Sequence, residues 1–167
     1  PFDSDFNDDS SNAYSATIVG DAAISSAQAK FGSYSAYFDG TGDSVTYSGS
    51  QSSFNLPGQF TIEFWIYPTA SGGSYSDQTG QAFVSVHGGP TGYLFQIGQA
   101  FRFYGGSSSG VILSSSAVSS ANQWYHIALC RGKDNVVKLF VDGSLQDSAS
   151  SSYSFVAQQD LRLSGSN

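Results

Sequence analysis

The sequence of 167 residues predicts an all-β fold, a two-sheet antiparallel β-sandwich of the jelly-roll type. Three observations support this class. Many short segments alternate apolar and polar residues with period 2, which is the pattern of strands. Several of these segments are apolar on both faces. No segment has an apolar face at helical spacing, since Gly and Ser interrupt the one Ala-rich stretch at 19–30. The length fits one domain, and we therefore expect a single domain over 1–167.

The strongest predicted strand covers residues 60–67 and ends at Pro68. Every second position in this strand is a large apolar residue, and the set is Phe60, Ile62, Phe64 and Ile66. Alternate residues of a strand point to one face, so these side chains are expected to face the core. Trp65 lies on the opposite face of the strand, and we expect it in the core as well.

The remaining strands follow from the same alternation. Residues 124–131 predict a central strand, because both of its faces are largely apolar. The segment 136–148 predicts a hairpin with a two-residue turn at Asp142-Gly143, since Asp-Gly suits positive φ at both positions. A second hairpin is expected over 93–104. Further short strands are expected at 16–19, 36–38, 45–47, 82–87, 111–114 and 161–164, and loops at 71–80, 105–110 and 148–154.

The composition excludes several classes of protein. Six basic residues against thirteen acidic residues give a net charge of −7, which excludes ordinary binding to nucleic-acid phosphates. No apolar run approaches the roughly 18 residues that a membrane span needs. The single cysteine, Cys130, excludes an internal disulfide framework and a zinc site built on cysteines. Because the sequence has no methionine, we expect it to be a piece of a longer protein.

Three segments together resemble a known family: FGSYSAYFDGTGDSV at 31–45, FTIEFWIYP at 60–68 and WYHIALCRGKDNVVKLFVDG at 124–143. Their order and spacing are similar to those of the concanavalin A-like, laminin-G-type jelly roll. Two more segments, DFNDDSSN at 5–12 and AAISSAQAKFG at 22–32, resemble the versions of this domain found in phage tail fibres and virion appendages. The resemblance implies a concanavalin A-like jelly roll located on a virion surface appendage or in another extracellular setting.

The family usually ends with one more strand than this sequence contains. The sequence stops at LRLSGSN (161–167), so we expect the closing strand to be missing or to come from another chain. A sheet edge left open by a missing strand presents unpaired N–H and C=O groups, which invite a strand from a neighbour. Cys130 stands where the family usually has a small apolar residue, a departure that affects packing.

Catalytic motifs are weak in this sequence. The same superfamily contains glucanases, whose retaining hydrolysis uses two carboxylates presented by alternate residues of one strand. Glu63 is the only glutamate and has no acid two or four positions away, so we expect no enzymatic activity. No G-x-S-x-G motif occurs at a strand-to-helix turn. His126 is expected to pack within a sheet, and His87 to lie in a turn from which it could contact a ligand.

Calcium is the cofactor that the resemblance suggests, because laminin-G-type domains often bind it with a loop aspartate and backbone carbonyls. Asp39 and Asp43 lie four residues apart in DGTGD, with glycines between them. Asp43 is the first candidate ligand, and Asp5, Asp8 and Asp9 could complete a site. The alternative is that Asp43 caps a turn through hydrogen bonds to its own backbone, and that the other acids are solvated loop carboxylates.

Aromatic residues in loops are the candidates for binding sugars. Sugars stack their C–H faces on aromatic rings, and their hydroxyls pair with polar groups. The rings expected outside the regular alternation belong to Tyr75, Tyr93, Tyr104 and Tyr153, and His87 joins them as a possible ligand contact. The alternative for each tyrosine is an ordinary surface position.

The resemblance and these residues predict a non-catalytic carbohydrate-binding or adhesion module, from a phage tail fibre or other virion surface protein that recognises host glycan. Two alternatives stand beside it. One is a structural or decorating virion module that works through protein–protein contacts, and the other is an accessory binding domain of a secreted glycoside hydrolase. The expected partners are a glycan or polysaccharide and neighbouring virion chains, without nucleic acid and without membrane insertion.

Overall fold

The computed structural model describes residues 4–69, 81–86, 92–97, 100–106, 111–115 and 120–164. Within these residues the chain forms thirteen strands and one 3₁₀ helix at Gln51–Phe54. The strands are β1 (Ser15–Val19), β2 (Ala23–Ser25), β3 (Ser35–Tyr37), β4 (Ser44–Ser48), β5 (Phe60–Ile66), β6 (Gln81–Ser85), β7 (Tyr93–Ile97), β8 (Phe101–Gly105), β9 (Val111–Ser114), β10 (Tyr125–Arg131), β11 (Val136–Val141), β12 (Ser144–Ser150) and β13 (Leu161–Ser164).

The described strands form two large sheets and one small hairpin. The first sheet has seven strands in the order β1-β4-β13-β6-β7-β8-β9. The second has four strands in the order β12-β11-β10-β5, and β2 pairs with β3. Neighbouring strands run antiparallel throughout. This arrangement confirms the predicted antiparallel β-sandwich.

The main core lies between the two large sheets. In β10 every odd-numbered residue is buried and every even-numbered residue is half-buried, which is the pattern of a strand with one inward face. β8 and β11 show the same alternation. At the centre, the ring centroid of Phe103 lies 5.2 Å from that of Phe95 and 5.5 Å from that of Phe155. The inward positions predicted from period-2 alternation are therefore confirmed for these strands.

A second, smaller core covers the other end of the seven-stranded sheet. Val45 and Tyr47 of β4 pack there against Phe6 of the N-terminal segment and Ala22, just before β2. Half-buried residues of the β2–β3 hairpin complete the cluster. The N-terminal segment and this hairpin thus cover β1, β4 and β13, while the four-stranded sheet faces the rest of the seven-stranded sheet.

Most predicted elements are present, although β2 was not predicted and two predicted loops begin later than expected. The β11–β12 hairpin has the expected turn, with φ of 50° at Asp142 and 76° at Gly143. Residues 148–150, expected in a loop, instead finish β12, and Gly105 finishes β8. In both cases the flanking strand continues through small polar residues, because ladder hydrogen bonds involve the backbone rather than the side chains. The loop expected at 71–80 lies outside the described residues.

β5 forms an edge of the four-stranded sheet and pairs only with β10 among the described strands. The Asp142 N–H donates to the His126 carbonyl, which directs the backbone of His126 toward β11. Backbone direction alternates along an antiparallel strand. The N–H and C=O groups of Thr61, Glu63 and Trp65 therefore point away from β10, at the free edge of the sheet.

Candidate functional site

Directly paired residues form a row of mixed polar and apolar character across the outer face of the seven-stranded sheet. The registers place Arg162 of β13 between Thr46 of β4 and Ser85 of β6. The same row continues through β7 to Tyr104 of β8 and Ile112 of β9. Directly paired residues point to the same face of a sheet. Since the alternate residues of β4 and β8 are buried in the cores, this row faces outward.

A second row lies two residues further along the same face. Arg102 of β8 pairs there with Gln96 of β7 and Ser114 of β9. Arg102 Nη1 donates a hydrogen bond to the Tyr104 hydroxyl at 3.4 Å, and this bond links the two rows. We call this surface the arginine face, and we define it by Ser85, Gln96, Arg102, Tyr104 and Arg162.

Among the described residues, neither guanidinium group of the arginine face has a carboxylate partner. Among the described residues the ion pairs are His126–Glu63 and Lys138–Asp134, and neither includes Arg102 or Arg162. The Arg162 Nε is buried and has no hydrogen-bond partner within the described part of the chain. A buried donor without an acceptor costs about 1–3 kcal/mol. The Arg162 guanidinium is therefore only partly hydrogen-bonded by the described residues.

Tyr104 provides the aromatic ring of this surface. The glycines that follow Tyr104 predict a loop position, whereas the structure places the residue inside β8, half-buried and held by the sheet. An aromatic ring beside guanidinium, hydroxyl and amide groups is the combination that sugar recognition uses, because the ring receives C–H groups and the polar groups receive hydroxyls. The arginine face therefore offers the chemistry expected of a saccharide site.

The other predicted ligand residues do not gather with Tyr104. Tyr93 begins β7 and is 4% exposed, so its expected loop position was wrong and its ring is not accessible to a sugar. Its hydroxyl donates to the Phe54 carbonyl at 2.9 Å, and burial raises its pKa to about 12. Tyr153 is half-buried against Phe155 at the margin of the main core. Tyr75 and His87 lie outside the described residues.

Asp43 holds two loops together through its carboxylate. It is fully buried and accepts hydrogen bonds from the backbone N–H groups of Asp21 and Asp39, each at 2.8 Å. The N–H bond from Asp39 is the main reason that the pKa of Asp43 is lowered. Gly20 has a φ of 74°, and a Cβ there would overlap the Asp43 carboxylate, so this position requires glycine. Asp43 therefore caps the turn at Asp39, which is the role expected of it as the alternative to binding calcium.

Three carboxylates converge at this point. One oxygen each of Asp21, Asp39 and Asp43 lies within 4.8 Å of the others, and Asp21 and Asp39 are exposed. The pKa of Asp21 is raised, first because it shares a hydrogen bond with the Asp43 carboxyl and then because Asp43 and Asp39 repel its charge. Sequence analysis paired Asp39 with Asp43 and missed Asp21. Asp5 and Asp9 do not belong to this group, and Asp5 instead accepts hydrogen bonds from Asn7.

The outer face of β5 carries an exposed aromatic cluster. Trp65 is 36% exposed, so the expectation that it lies in the core was wrong. The Lys30 ammonium lies 4.1 Å from the Trp65 ring centroid, and the His126 ring centroid lies 4.9 Å away. His126 Nε2 is 3.4 Å from the Glu63 carboxylate. His126 therefore packs within the sheet as predicted, and Glu63 pairs with an imidazole rather than with a second carboxylate.

A cavity of about 380 Å³ opens between the N-terminal segment and the second core. Its floor is apolar, and its rim is polar and acidic. Asp8 on this rim accepts backbone hydrogen bonds from Tyr14 and Ser10, which lower its pKa. The lining residues are Asn7, Asp8, Asp9, Ser10, Tyr47, Phe54, Leu161 and Leu163. Sequence patterns could not predict this cavity, because its walls come from segments far apart in the chain.

A laminin-G-type family model, described as the concanavalin A-like lectin/glucanases superfamily, matches residues 39–167. The chain belongs to this superfamily. The matched part contains β4 to β13 and therefore the whole arginine face. No curated protein matches the sequence. Within the described residues, the structure contains no helix with the length and apolar character that crossing a membrane requires.

Several solved structures share the fold of this superfamily member. The binding domain of Paraclostridial Mosquitocidal Protein 1 has a TM-score of 0.74 at 17% identity, over 95% of this chain and 41% of that one. The binding domain of botulinum neurotoxin serotype G has a TM-score of 0.67 at 13% identity, over 95% and 40%. Domain 4 of AbnA, a GH43 extracellular arabinanase from Geobacillus stearothermophilus in complex with arabinotriose, has a TM-score of 0.66 at 15% identity, over 89% and 72%.

The chain spans about two fifths of the length of the two toxin domains. At identities of 13–17% the likeness shows a shared jelly-roll fold alone.

Proposed function

We propose that this superfamily member is a non-catalytic carbohydrate-binding module and that the arginine face is its saccharide site. The observation that carries the proposal is the hydrogen bond between Arg102 and the half-buried Tyr104. Arg162 lies on the same outer face, and its Nε has no described partner. The strand registers fix the relative positions of these groups, so the site is organised before a ligand arrives. A rigid site avoids the entropy cost of ordering loops on binding.

The comparisons support a binding role in general terms. The toxin domains are named as binding domains, and the arabinanase domain was solved with arabinotriose. We propose that this chain likewise works outside the cell as a recognition module. The segments at 5–12 and 22–32 favour a phage tail fibre or other virion appendage as its setting, and an accessory domain of a secreted glycoside hydrolase is the alternative.

Tyr104→Ala is expected to weaken glycan binding by about tenfold, or about 1.4 kcal/mol, because the variant loses the apolar contact area of the aromatic ring. A glycan array would first identify the saccharides that the wild-type protein retains, and calorimetry would then compare the variant with the wild type. Trp65→Ala is the matched control, since it removes an exposed aromatic ring from the other sheet. Retention of no glycan, or equal losses for both variants, would rule out this surface as the site.

We also propose that calcium binds at Asp21, Asp39 and Asp43. Ca²⁺ takes carboxylate and carbonyl oxygens from loops, and these three carboxylates already lie within 4.8 Å of one another. The pKa of Asp21 is raised first by its hydrogen bond with Asp43 and then by repulsion from Asp43 and Asp39, and a divalent cation would relieve that repulsion. Such an ion would stabilise the loops next to β1 and β4, at the edge of the seven-stranded sheet.

Millimolar Ca²⁺ is expected to raise the Tm of the wild-type protein, by about 2–4 °C for each kcal/mol of binding free energy. Asp21→Asn should remove this shift, because it deletes an exposed ligand and leaves the hydrogen bonds accepted by Asp43 in place. Asp9→Asn is the control and should keep the shift, since Asp9 is outside the cluster. The Ca²⁺-dependent rise in Tm should also decrease on acidification. Because the pKa of Asp21 is raised, this carboxylate takes up a proton at a higher pH than an ordinary aspartate and then no longer binds the ion as an anion. The same Tm with and without Ca²⁺ would exclude the site.

A second candidate function is assembly through strand addition at β5. The free edge of β5 presents the N–H and C=O groups of Thr61, Glu63 and Trp65 without a described partner. Its inward side chains are large and apolar, and unprotected edges of this kind accept strands. This observation favours a structural module that joins neighbouring virion chains. A concentration-independent monomer mass in solution, up to millimolar protein, would count against pairing between copies of this chain.

A further inference from the structure

The arginine face collects two of the three arginines of an acidic chain. The chain has three arginines in total and a net charge of −7. Arg131 is buried in the core, and Arg102 and Arg162 share the outer face of the seven-stranded sheet. With thirteen acidic residues in the chain, a surface arginine would be expected to find a carboxylate. Neither does so within the described residues, where the ion pairs involve His126 and Lys138.

An unpaired guanidinium in a partly buried position is costly. The free energy lost when a guanidinium is removed from water is recovered only by an opposite charge or by hydrogen bonds from all of its N–H groups. Arg102 has the Tyr104 hydroxyl as a neutral partner, and the buried Nε of Arg162 has none in the described part of the structure. Guanidinium groups bind carboxylate and sulfate oxygens through two parallel N–H bonds. An anion with planar or tetrahedral oxygens would supply acceptors of this geometry.

The spacing of the two arginines indicates the size of the ligand. Arg162 and Tyr104 lie in one row, separated by β6 and β7, and Arg102 lies in the adjacent row. Strands are about 4.8 Å apart, so three strand spacings separate the arginine backbones by roughly 14 Å across the sheet. Two long side chains can approach each other across that span, with the Tyr104 ring beside Arg102. With the side chains directed toward each other, a ligand as short as one acidic sugar can touch both guanidinium groups.

We propose that the saccharide bound at the arginine face is acidic and carries carboxylate or sulfate groups that pair with Arg162 and Arg102. This inference rests on the proposed function, because it names the class of sugar that the same surface binds. Tyr104 receives the C–H face of a sugar ring, and the N–H groups of the two guanidinium groups donate to the oxygens around that ring. The net charge of −7 slows the approach of a polyanion, so selectivity comes from local pairing rather than from the overall field.

Glycan selectivity is the first test. On an array that contains neutral, uronate-bearing, sialylated and sulfated glycans, the retained glycans should be acidic. Calorimetry would then compare the best of them with its carboxyl-reduced or desulfated counterpart, and a loss of at least tenfold is expected. Arg162→Gln should cause a similar loss for the acidic glycan. Lys133→Gln removes the same charge at an exposed turn distant from the arginine face and should leave the affinity unchanged.

A second measurement does not depend on the variants folding. In wild-type protein, the side-chain Nε–H signals of Arg162 and Arg102 should shift on titration with glucuronate and stay unchanged with glucose at the same concentrations. Equal affinities for an acidic glycan and its neutral counterpart, with binding still lost in Tyr104→Ala, would overturn the acidic class and leave the proposed function standing. Retention of no glycan of any class would overturn both. Equal losses in Arg162→Gln and Lys133→Gln would reduce the effect to nonspecific charge and would overturn the inference.

Discussion

Arg131→Met is expected to lower the free energy of unfolding by at least about 3 kcal/mol. Arg131 ends β10 with its side chain pointing into the molecule, and it is 3% exposed. Its guanidinium lies over the rings of Phe60 and Phe155, 5.1 and 5.4 Å from their centroids. A methionine of similar length would keep part of this packing and would lose every hydrogen bond.

The hydrogen bonds of Arg131 explain the size of the effect. The Nε donates to the Gly58 carbonyl at 2.6 Å, and Nη2 donates to the Leu56 carbonyl at 2.9 Å. Nη1 donates to the carbonyls of Ser151 and Tyr153. One side chain therefore satisfies four carbonyls from two loops, and its removal leaves them without a donor. These carbonyls are only partly buried, so each costs less than the roughly 1–3 kcal/mol of a fully buried unpaired group, and the expected loss is the sum over four of them together with the lost ring contacts.

Urea denaturation would measure this loss. Lys138→Met is the matched control, because it removes a cation from the neighbouring strand where the charge forms only a partly exposed ion pair with Asp134. That pair contributes at most about 1 kcal/mol. Arg131→Lys should recover only part of the stability, since an ammonium cannot reach four carbonyls in two directions. A loss below about 1 kcal/mol for Arg131→Met would show that the loops do not depend on it.

Phe103→Ala is expected to cost about 3–5 kcal/mol, the usual range for truncating a buried aromatic ring. Phe103 is fully buried at the middle of β8 and contacts the rings of Tyr93, Phe95 and Phe155. The packing around it is tight, because a Cβ added at Gly105 would lie 2.8 Å from the Phe103 ring. The cavity left by alanine would therefore open at the centre of the sandwich.

The control for this variant is Ile112→Ala on the neighbouring strand. Ile112 is 59% exposed and points to the outer face, so its truncation should change the free energy of unfolding by less than about 0.5 kcal/mol. Thermal and urea unfolding of both variants would give the comparison. A cost for Phe103→Ala close to that of Ile112→Ala would mean that the ring is not packed as described.

The sandwich was predictable because its strands alternate strictly. Phe60, Ile62 and Phe64 of β5 face the main core, and the positions between them face outward, as period 2 requires. The same rule could have corrected one site residue. Tyr93 lies two residues before Phe95 in β7, so both side chains point inward. The preceding Gly89, Pro90 and Gly92 are typical of a loop, and for that reason Tyr93 was expected in one.

The rest of the candidate site depends on contacts that a single sequence does not display. Asp21 meets Asp43 across 22 residues, and no local pattern connects them. The arginine face requires the order of strands in the sheet, since β13 lies between β4 and β6 although it is last in sequence. Only that order brings Arg162 into the row of Tyr104. Sequence alternation fixes which face a residue takes, whereas strand order fixes its neighbours on that face.

The central claim is that the outer face of the seven-stranded sheet recognises saccharide. The most direct test is an NMR titration of isotope-labelled protein with the glycan that an array identifies, followed through backbone and arginine side-chain signals. We expect the largest shifts at Ser85, Gln96, Arg102, Tyr104 and Arg162, with little change at Trp65 and His126 on the opposite sheet. Shifts confined to the Trp65 face, or to the cavity beside Tyr47, would contradict the claim.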